Sequence, residues 1–239
     1  MKLAGLLDLL YPISCSVCGA PASTHLCAAC RAAIRVRVAE ACCRLCGKAM
    51  MEEVSVGNAA PLCAACRKHP PKFDLARSAA AFKGPVRELV HRFKYGHGTW
   101  LVEELAALLE GCYLAHCRGE EADVVCPVPL SRAKARDRGY NQAELLAEAL
   151  ARRIGVPVAH GILVRRRNTP TQTHLDAAGR RANVAGAFLS PPEMRPWTFG
   201  RCIVLVDDVM TTGSTLSECA AALKANGAER VVALTVARD

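Results

Sequence analysis

A chain of 239 residues, 51% hydrophobic and only 5% aromatic, has the length for one sizeable core plus a smaller module, and too few aromatics for a membrane barrel or a lectin. Its formal net charge is +9, but fourteen cysteines bear on that figure. They come as four C-x-x-C pairs in the first quarter followed by scattered singles, which is the arithmetic of metal ligands and not of a secreted disulfide scaffold. Eight thiolates holding two Zn²⁺ would remove about four positive charges and leave a moderately basic protein of the reducing cytoplasm.

The first stretch, Met1 to Ile13, is apolar but short, contains Asp8 and runs into Cys15. It is expected to form no membrane span and no signal peptide; Leu3, Leu6, Leu7 and Leu10 trace a helical stripe that packs on the body or on a partner.

Cys15-x-x-Cys18 and Cys27-x-x-Cys30 lie eight residues apart, and Cys43-x-x-Cys46 and Cys63-x-x-Cys66 sixteen. Four sulfurs at tetrahedral distance satisfy a structural Zn²⁺, so a double zinc ribbon is expected. Spacing leaves open an interleaved pairing of the first and third pairs, and Cys42, His25 and His69 are alternative ligands. Dithiol exchange also uses C-x-x-C, but four successive pairs argue against it. A closed four-sulfur site offers no catalytic position, so the metals are structural and compensate for a module too small to build a core. Zinc ribbons often bind nucleic acid; here the charge is diffuse and aromatics for stacking are few, which favours a scaffold or docking role equally.

His69-Pro70-Pro71-Lys72 is a stiff exit, and the domain boundary is expected there, separating residues 1–70 from 71–239. A strand is expected over Ser78 to Phe82. Gly84-Pro85 then opens a helix with Val86, Leu89, Val90 and Phe93 at helical spacing and Arg87, His91, Arg92 and Lys94 on its cationic face. Trp100 to Leu114 reads as a second amphipathic helix, with Leu101, Leu105, Leu108 and Leu109 inward.

Asp123 to Pro129 reads as a buried strand. A basic loop follows at once, bringing Arg132, Lys134, Arg136 and Arg138 to the carboxyl edge of that strand, where open parallel sheets bind ligands. Arg forks across two phosphate oxygens and Lys offers a point charge, so the mixture suits a polyanion such as a pyrophosphate. Asn141 to Arg153 is a helix with Leu145, Leu146, Ala149 and Leu150 inward. The segment from Arg165 to Val184 is too polar for a core element and is expected to be a lid or hood, and Pro191 to Pro196 an exposed turn.

Residues 202 to 215 are the most informative stretch: an apolar run, Ile203 to Val206, then Asp207-Asp208, then the hydroxyl-rich turn Thr211-Thr212-Gly213-Ser214-Thr215. Two adjacent carboxylates suit the vicinal hydroxyls of a ribose. The loop would hold a phosphate on backbone N–H groups at a helix N-terminus, with hydroxyl donors beside it and a glycine allowing close approach. It lacks the Gly-Lys-Ser/Thr end of a Walker loop. A plain strand stopping at an acidic N-cap would explain neither the paired acids nor the packed hydroxyls. Ser214 to Asn226 is a helix with Gly227 at its end, and Val231 to Val236 the next strand, so strands and helices alternate after residue 75 as in a doubly wound α/β sheet.

The 202–215 stretch resembles the ribose-phosphate motif of type I phosphoribosyltransferases. With the cysteine pairs, Phe93-Lys94-Tyr95, Pro127-Val128-Pro129, Arg138-Gly139-Tyr140-Asn141-Gln142, Thr171-x-Thr-x-Leu and Arg181-x-Asn183, nearly the whole chain is similar to the ComF family. That resemblance implies a double zinc ribbon joined to a type I phosphoribosyltransferase-like parallel sheet. It implies binding of phosphoribosyl pyrophosphate (PRPP) with Mg²⁺ through Asp207, Asp208 and Thr211 to Thr215, with pyrophosphate contacts from Arg132 to Arg138. It also implies cytoplasmic handling of incoming single-stranded DNA during natural transformation, with DNA-uptake or helicase proteins as partners. Purine-salvage transferases carry a carboxylate where Thr211 stands, so purine transfer is not expected; nor is full glutamine amidotransferase activity, since these residues show no cysteine-nucleophile glutaminase domain ahead of the fold. The alternative expectation is an active phosphoribosyltransferase of nucleotide or amine metabolism.

Overall fold

A computed structural model describes residues 13–36, 42–50, 61–117, 121–167 and 176–239. The leucine stripe of the first ten residues and the Thr171-x-Thr segment lie outside them.

In chain order the elements are α1 (Ala28–Ala32), α2 (Ala64–Lys68), β1 (Leu75–Ala81), α3 (Gly84–Tyr95), α4 (Val102–His116), β2 (Val124–Pro127), α5 (Arg132–Arg138), α6 (Gln142–Ile154), β3 (Val164–Arg165), α7 (Ala177–Val184), β4 (Phe188–Leu189), α8 (Arg195–Thr198), β5 (Cys202–Met210), α9 (Ser214–Ala225) and β6 (Arg230–Arg238). Two differences from the sequence expectations stand out. The first strand begins at Leu75, because Asp74 stitches its start to β6: its Oδ2 accepts the N–H of Val231 and its N–H donates to the carbonyl of the same residue. The basic stretch after β2 is a short helix and not a loop. Ser131 caps it by accepting the N–H of Lys134, and Gly139, at φ +78, ends it in the left-handed region that glycine occupies without strain.

The central sheet runs β1-β6-β5-β2, parallel throughout, while β3 and β4 form a separate antiparallel pair. Strands buried on both faces are expected to be continuous apolar runs, and Ile203 to Val206 and Val231 to Leu234 are all fully buried. Alternate residues serve opposite faces. Ile203, Leu205, Val231 and Ala233 pack with α9 and the β4 segment, whereas Val204, Val206, Val232 and Leu234 pack with α3, α4 and α6. Each such valine, leucine or isoleucine side chain contributes about 1.5–3 kcal/mol on leaving water.

The two ribbons divide between these faces. Cys15, Leu26 and Ile34 join the core of α3, α4 and α6, and Arg31 on α1 pairs with Glu104 on α4. Cys43, Cys46, Cys63 and Cys66 join the other core together with Phe73 and Met210. The second ribbon is tied directly to the sheet, since Ala76 donates its N–H to the Leu45 carbonyl at 2.7 Å and Arg238 at the end of β6 donates to the carbonyl of Cys46. Gly47 sits at φ +66, where an added Cβ would meet the Ala76 carbonyl oxygen at 2.9 Å, so only glycine permits this approach.

Candidate functional site

Within each ribbon the pairs meet in chain order. Cys15, Cys18, Cys27 and Cys30 form one cluster, and Cys43, Cys46, Cys63 and Cys66 the other, with ligand atoms all within 4.8 Å of one another. The sulfurs of Cys18 and Cys27 stand 3.8 Å apart and those of Cys46 and Cys63 3.7 Å. A tetrahedron with Zn–S of about 2.3 Å has edges of about 3.8 Å, so the donor sets fit Zn²⁺. Sequential pairing is thereby observed, and neither Cys42, His25 nor His69 belongs to a cluster. The sites differ in depth: all four ligands of the second are buried, whereas Cys18 of the first is exposed.

The second site of interest opens where β2 leaves β5. The last bond between these strands runs from the Val128 N–H to the Val206 carbonyl, yet β5 continues to Met210 with only β6 beside it. From β2 the chain passes outward, through α6, to a bridge between Val125 and Val158; from β5 it turns the other way, through α9, to β6. Such a reversal leaves a crevice at the carboxyl ends of the strands. Its volume is about 470 Å³.

Asp207 and Asp208 lie in its wall, one and two residues beyond the part of β5 that pairs with β2, and before the end of the strand at Met210. Asp208 is 7% exposed. The Lys94 ammonium, from the last turn of α3, reaches its Oδ1 at 2.9 Å. Burial and the adjacent Asp208 carboxylate push Asp207 up from the ordinary carboxylate range to about 7. A ligand gripped by ionised Asp207 is therefore expected to bind more tightly as pH rises from 6 to 8. The fold itself should lose stability as pH rises from about 4 through 7, because the folded Asp207 holds a proton that the unfolded chain has already released. Calorimetric titrations and thermal unfolding across this range, repeated on Asp207→Asn, check both; a pH response unchanged by the substitution removes Asp207 as its source.

Thr211 to Thr215 line the same crevice. Gly213, at φ +80, is the N-cap residue of α9 and supplies no capping side chain; of the first N–H groups of the helix, that of Ser214 donates to Thr212 Oγ1 at 3.4 Å. Thr212 and Ser214 share a hydroxyl hydrogen bond at 2.8 Å. Beneath the loop, a Cβ on Gly213 would touch Met210 Sδ at 3.4 Å and the Phe73 ring at 3.6 Å, so the loop rests on the core that also holds the second cysteine cluster.

Of the basic run, Lys134 and Arg138 line the crevice; Arg136 is exposed and does not, and Arg132 is the first residue of α5 after its N-cap Ser131. Burial and the neighbouring cations Arg138, Arg165 and Lys94 hold the Lys134 ammonium below its usual pKa. Five residues from three segments escaped the list of site residues read from the sequence. Lys94 and Tyr95 come from the end of α3, Arg165 and Arg180 from the hood, and Gln142 from the start of α6. Arg138 lies over the Tyr95 ring at 5.0 Å and donates to Gln142 Oε1 at 2.8 Å, while the buried Gln142 Nε2 has no partner. Tyr140 donates its hydroxyl to the Phe93 carbonyl, and Asn141 Nδ2 donates to that of Val128, fixing α5 and α6 against α3 and β2. The Phe93-Lys94-Tyr95 and Arg138-Gly139-Tyr140-Asn141-Gln142 motifs were the available signal, but only folding reveals that they meet.

A double zinc ribbon domain matches residues 6–67 and a phosphoribosyl transferase domain residues 141–239. The chain is 35% identical to competence protein F of Haemophilus influenzae over 74% of its length and 78% of that protein's. It is 33% identical to the DNA utilization protein YhgH of Salmonella typhi over 93% of its own length and 96% of the relative's. With competence protein ComFC of Bacillus subtilis the identity is 28%, over 68% and 64%. Paired Cys₄ clusters on opposite faces of a parallel phosphoribosyltransferase-like sheet, and this identity across most of the chain, establish that the protein belongs to the ComF family.

Proposed function

We propose that the crevice binds PRPP with Mg²⁺ and that the protein handles incoming single-stranded DNA in the cytoplasm during natural transformation. The observation that carries the first half is charge: Lys94, Lys134, Arg138, Arg165 and Arg180 surround one cavity that also holds an acidic pair and a helix N-terminus. Lys134, depressed by burial and then by the neighbouring cations Arg138, Arg165 and Lys94, is relieved by a polyanion. In this reading Asp207 and Asp208 take the vicinal ribose hydroxyls, Thr211 to Thr215 the 5-phosphate, and Lys134, Arg138 and Arg132 the pyrophosphate, with Arg136 adding long-range attraction. Carboxylate and hydroxyl oxygens are the hard donors that Mg²⁺ prefers, and the ion, when bound with PRPP, neutralises pyrophosphate charge.

The DNA half rests on relatives that are called competence and DNA utilization proteins, and on the basic surface of the chain. It entails salt-sensitive retention of single strands and contacts with DNA-uptake or helicase proteins. Titration calorimetry with PRPP and Mg²⁺ tests the crevice, and gel retardation of a single strand at low salt tests the DNA role. No heat from PRPP overturns the first; no retardation overturns the second.

One observation favours a second reading, transfer of the phosphoribosyl group to a base or amine. Thr211 lacks the carboxylate of purine-salvage enzymes, but Asp239 lines the crevice beside it, its N–H bonded to the Met210 carbonyl at 3.1 Å. Pyrophosphate release on mixing with PRPP and a panel of bases and amines, lost in Asp239→Asn, is the expected result of that reading. A chain that releases none fits ligand binding without transfer.

A further inference from the structure

A second cavity, of about 570 Å³, lies on the other side of the phosphate loop. It shares Thr211, Thr212, Gly213, Ser214 and Asp239 with the crevice but contains neither Asp207 nor Asp208, and its far wall is the second zinc ribbon, including Cys46, Cys63 and Cys66. A group lodged there would abut the phosphate end of a sugar phosphate held in the crevice. It would therefore be remote from C1, and the cavity is no acceptor pocket for transfer.

Its chemistry is two-sided. Ala49, Pro70 and Pro71 supply an apolar surface, with Phe73 buried behind them at 3% exposure, while Lys48, Lys83 and Arg181 also line it. The cavity's other charges are engaged in part: Arg238 donates to Cys46 and Glu218 Oε2 accepts the Gly186 N–H at 3.0 Å. Among the described residues no ion pair involves Lys48, Lys83 or Arg181. A flat apolar group carrying a phosphate complements such a cavity, with ring against the Pro70 and Pro71 rings and anion against Lys48, Lys83 and Arg181.

We infer that the cavity between the second zinc ribbon and the phosphate loop binds a nucleotide, either free or as the terminal unit of a single strand. The site builds on the proposed function but does not require it, since its cations and apolar wall lie outside the PRPP contacts. Because a ribonucleotide could also enter the crevice, the baseline is the zinc-loaded full chain carrying Asp207→Asn and Asp208→Asn. To it are added Lys48→Glu and Lys83→Glu, and both chains are titrated with AMP and with a short oligothymidylate bearing a photoreactive terminal base.

The expected result is binding by the baseline chain, weakened about tenfold or more by the charge reversals, with cross-links mapping to the Pro70 to Phe73 segment. AMP alone binding identifies a free nucleotide as the occupant; a strand binding more tightly, cross-linked through its end, identifies a strand terminus. In an otherwise native chain the same reversals should leave PRPP affinity within about twofold, so failure of PRPP binding and failure of this site are separate results. The inference is overturned if neither probe binds the baseline chain at millimolar concentration, or if the reversals change nothing. Zinc content and circular dichroism verify folding, and Lys48→Gln with Lys83→Gln replaces the reversals if they disturb it.

Discussion

Cys43→Ser with Cys66→Ser is expected to release one zinc per chain, lower thermal stability sharply and weaken PRPP binding at a distance from the sugar. All four ligands of this cluster are buried and share a core with Phe73, Met210 and Leu216, the residues on and around which the phosphate loop is built. Structural Zn²⁺ contributes about 10–16 kcal/mol in isolated zinc fingers, comparable to the roughly 5–15 kcal/mol that holds a whole domain together. Here part of that loss is offset by the sheet, which retains its own apolar core. Metal analysis, thermal unfolding and PRPP titration read the three effects. The corresponding change in the first cluster, Cys18→Ser with Cys30→Ser, should release zinc without altering PRPP affinity, because that cluster packs with Leu26 and Ile34 on the opposite face. Equal effects on PRPP from both pairs of substitutions would refute the coupling of the second ribbon to the loop.

Asp207→Asn with Asp208→Asn is expected to reduce PRPP affinity by at least about a hundredfold while the fold persists. Hydrogen bonds to ionised groups contribute about 1.5–3 kcal/mol each, and two carboxylates lose their charge together. Lys94, paired with Asp208 at 2.9 Å, loses its partner but is 20% exposed at its side chain and keeps access to water. Asp207→Asn alone should raise thermal stability at neutral pH, because an ionised carboxylate raised to about 7 by burial is a cost to the fold. A stable double variant that binds PRPP normally would refute the assignment of these carboxylates to the ribose.

The sequence was explicit wherever chemistry is local. Cysteine spacing announced two four-sulfur sites, and alternation of apolar runs with amphipathic helices announced the parallel sheet. The contiguous Asp207-Asp208 and Thr211 to Thr215 announced one side of the crevice, since one strand and one turn carry all of it. The boundaries of β1 and of the basic segment were less legible. Asp74 extends β1 by bonding to β6, whose position along the sheet no local pattern specifies, and Ser131 with Gly139 makes a helix of a run whose charges alone read as a loop.

Tertiary structure decided what distant segments do together. Sequential pairing of the cysteines followed from sulfur positions and not from spacing. Lys94, Arg165, Arg180 and Gln142 join the crevice because α3, the hood and α6 converge on the carboxyl edge of β5, a convergence set by strand order. Arg136, equal to its neighbours in the sequence, falls outside because it sits about half a helical turn from Lys134 and Arg138, which are one turn apart and share a face. By itself, then, the sequence determined the cysteine clusters, the sheet and the contiguity of the acidic pair with the hydroxyl-rich loop, each encoded within one or two short stretches. Only the fold decided which cations face the acidic pair and that the second ribbon supports the phosphate loop, because those contacts depend on the packing of faces far apart in the chain.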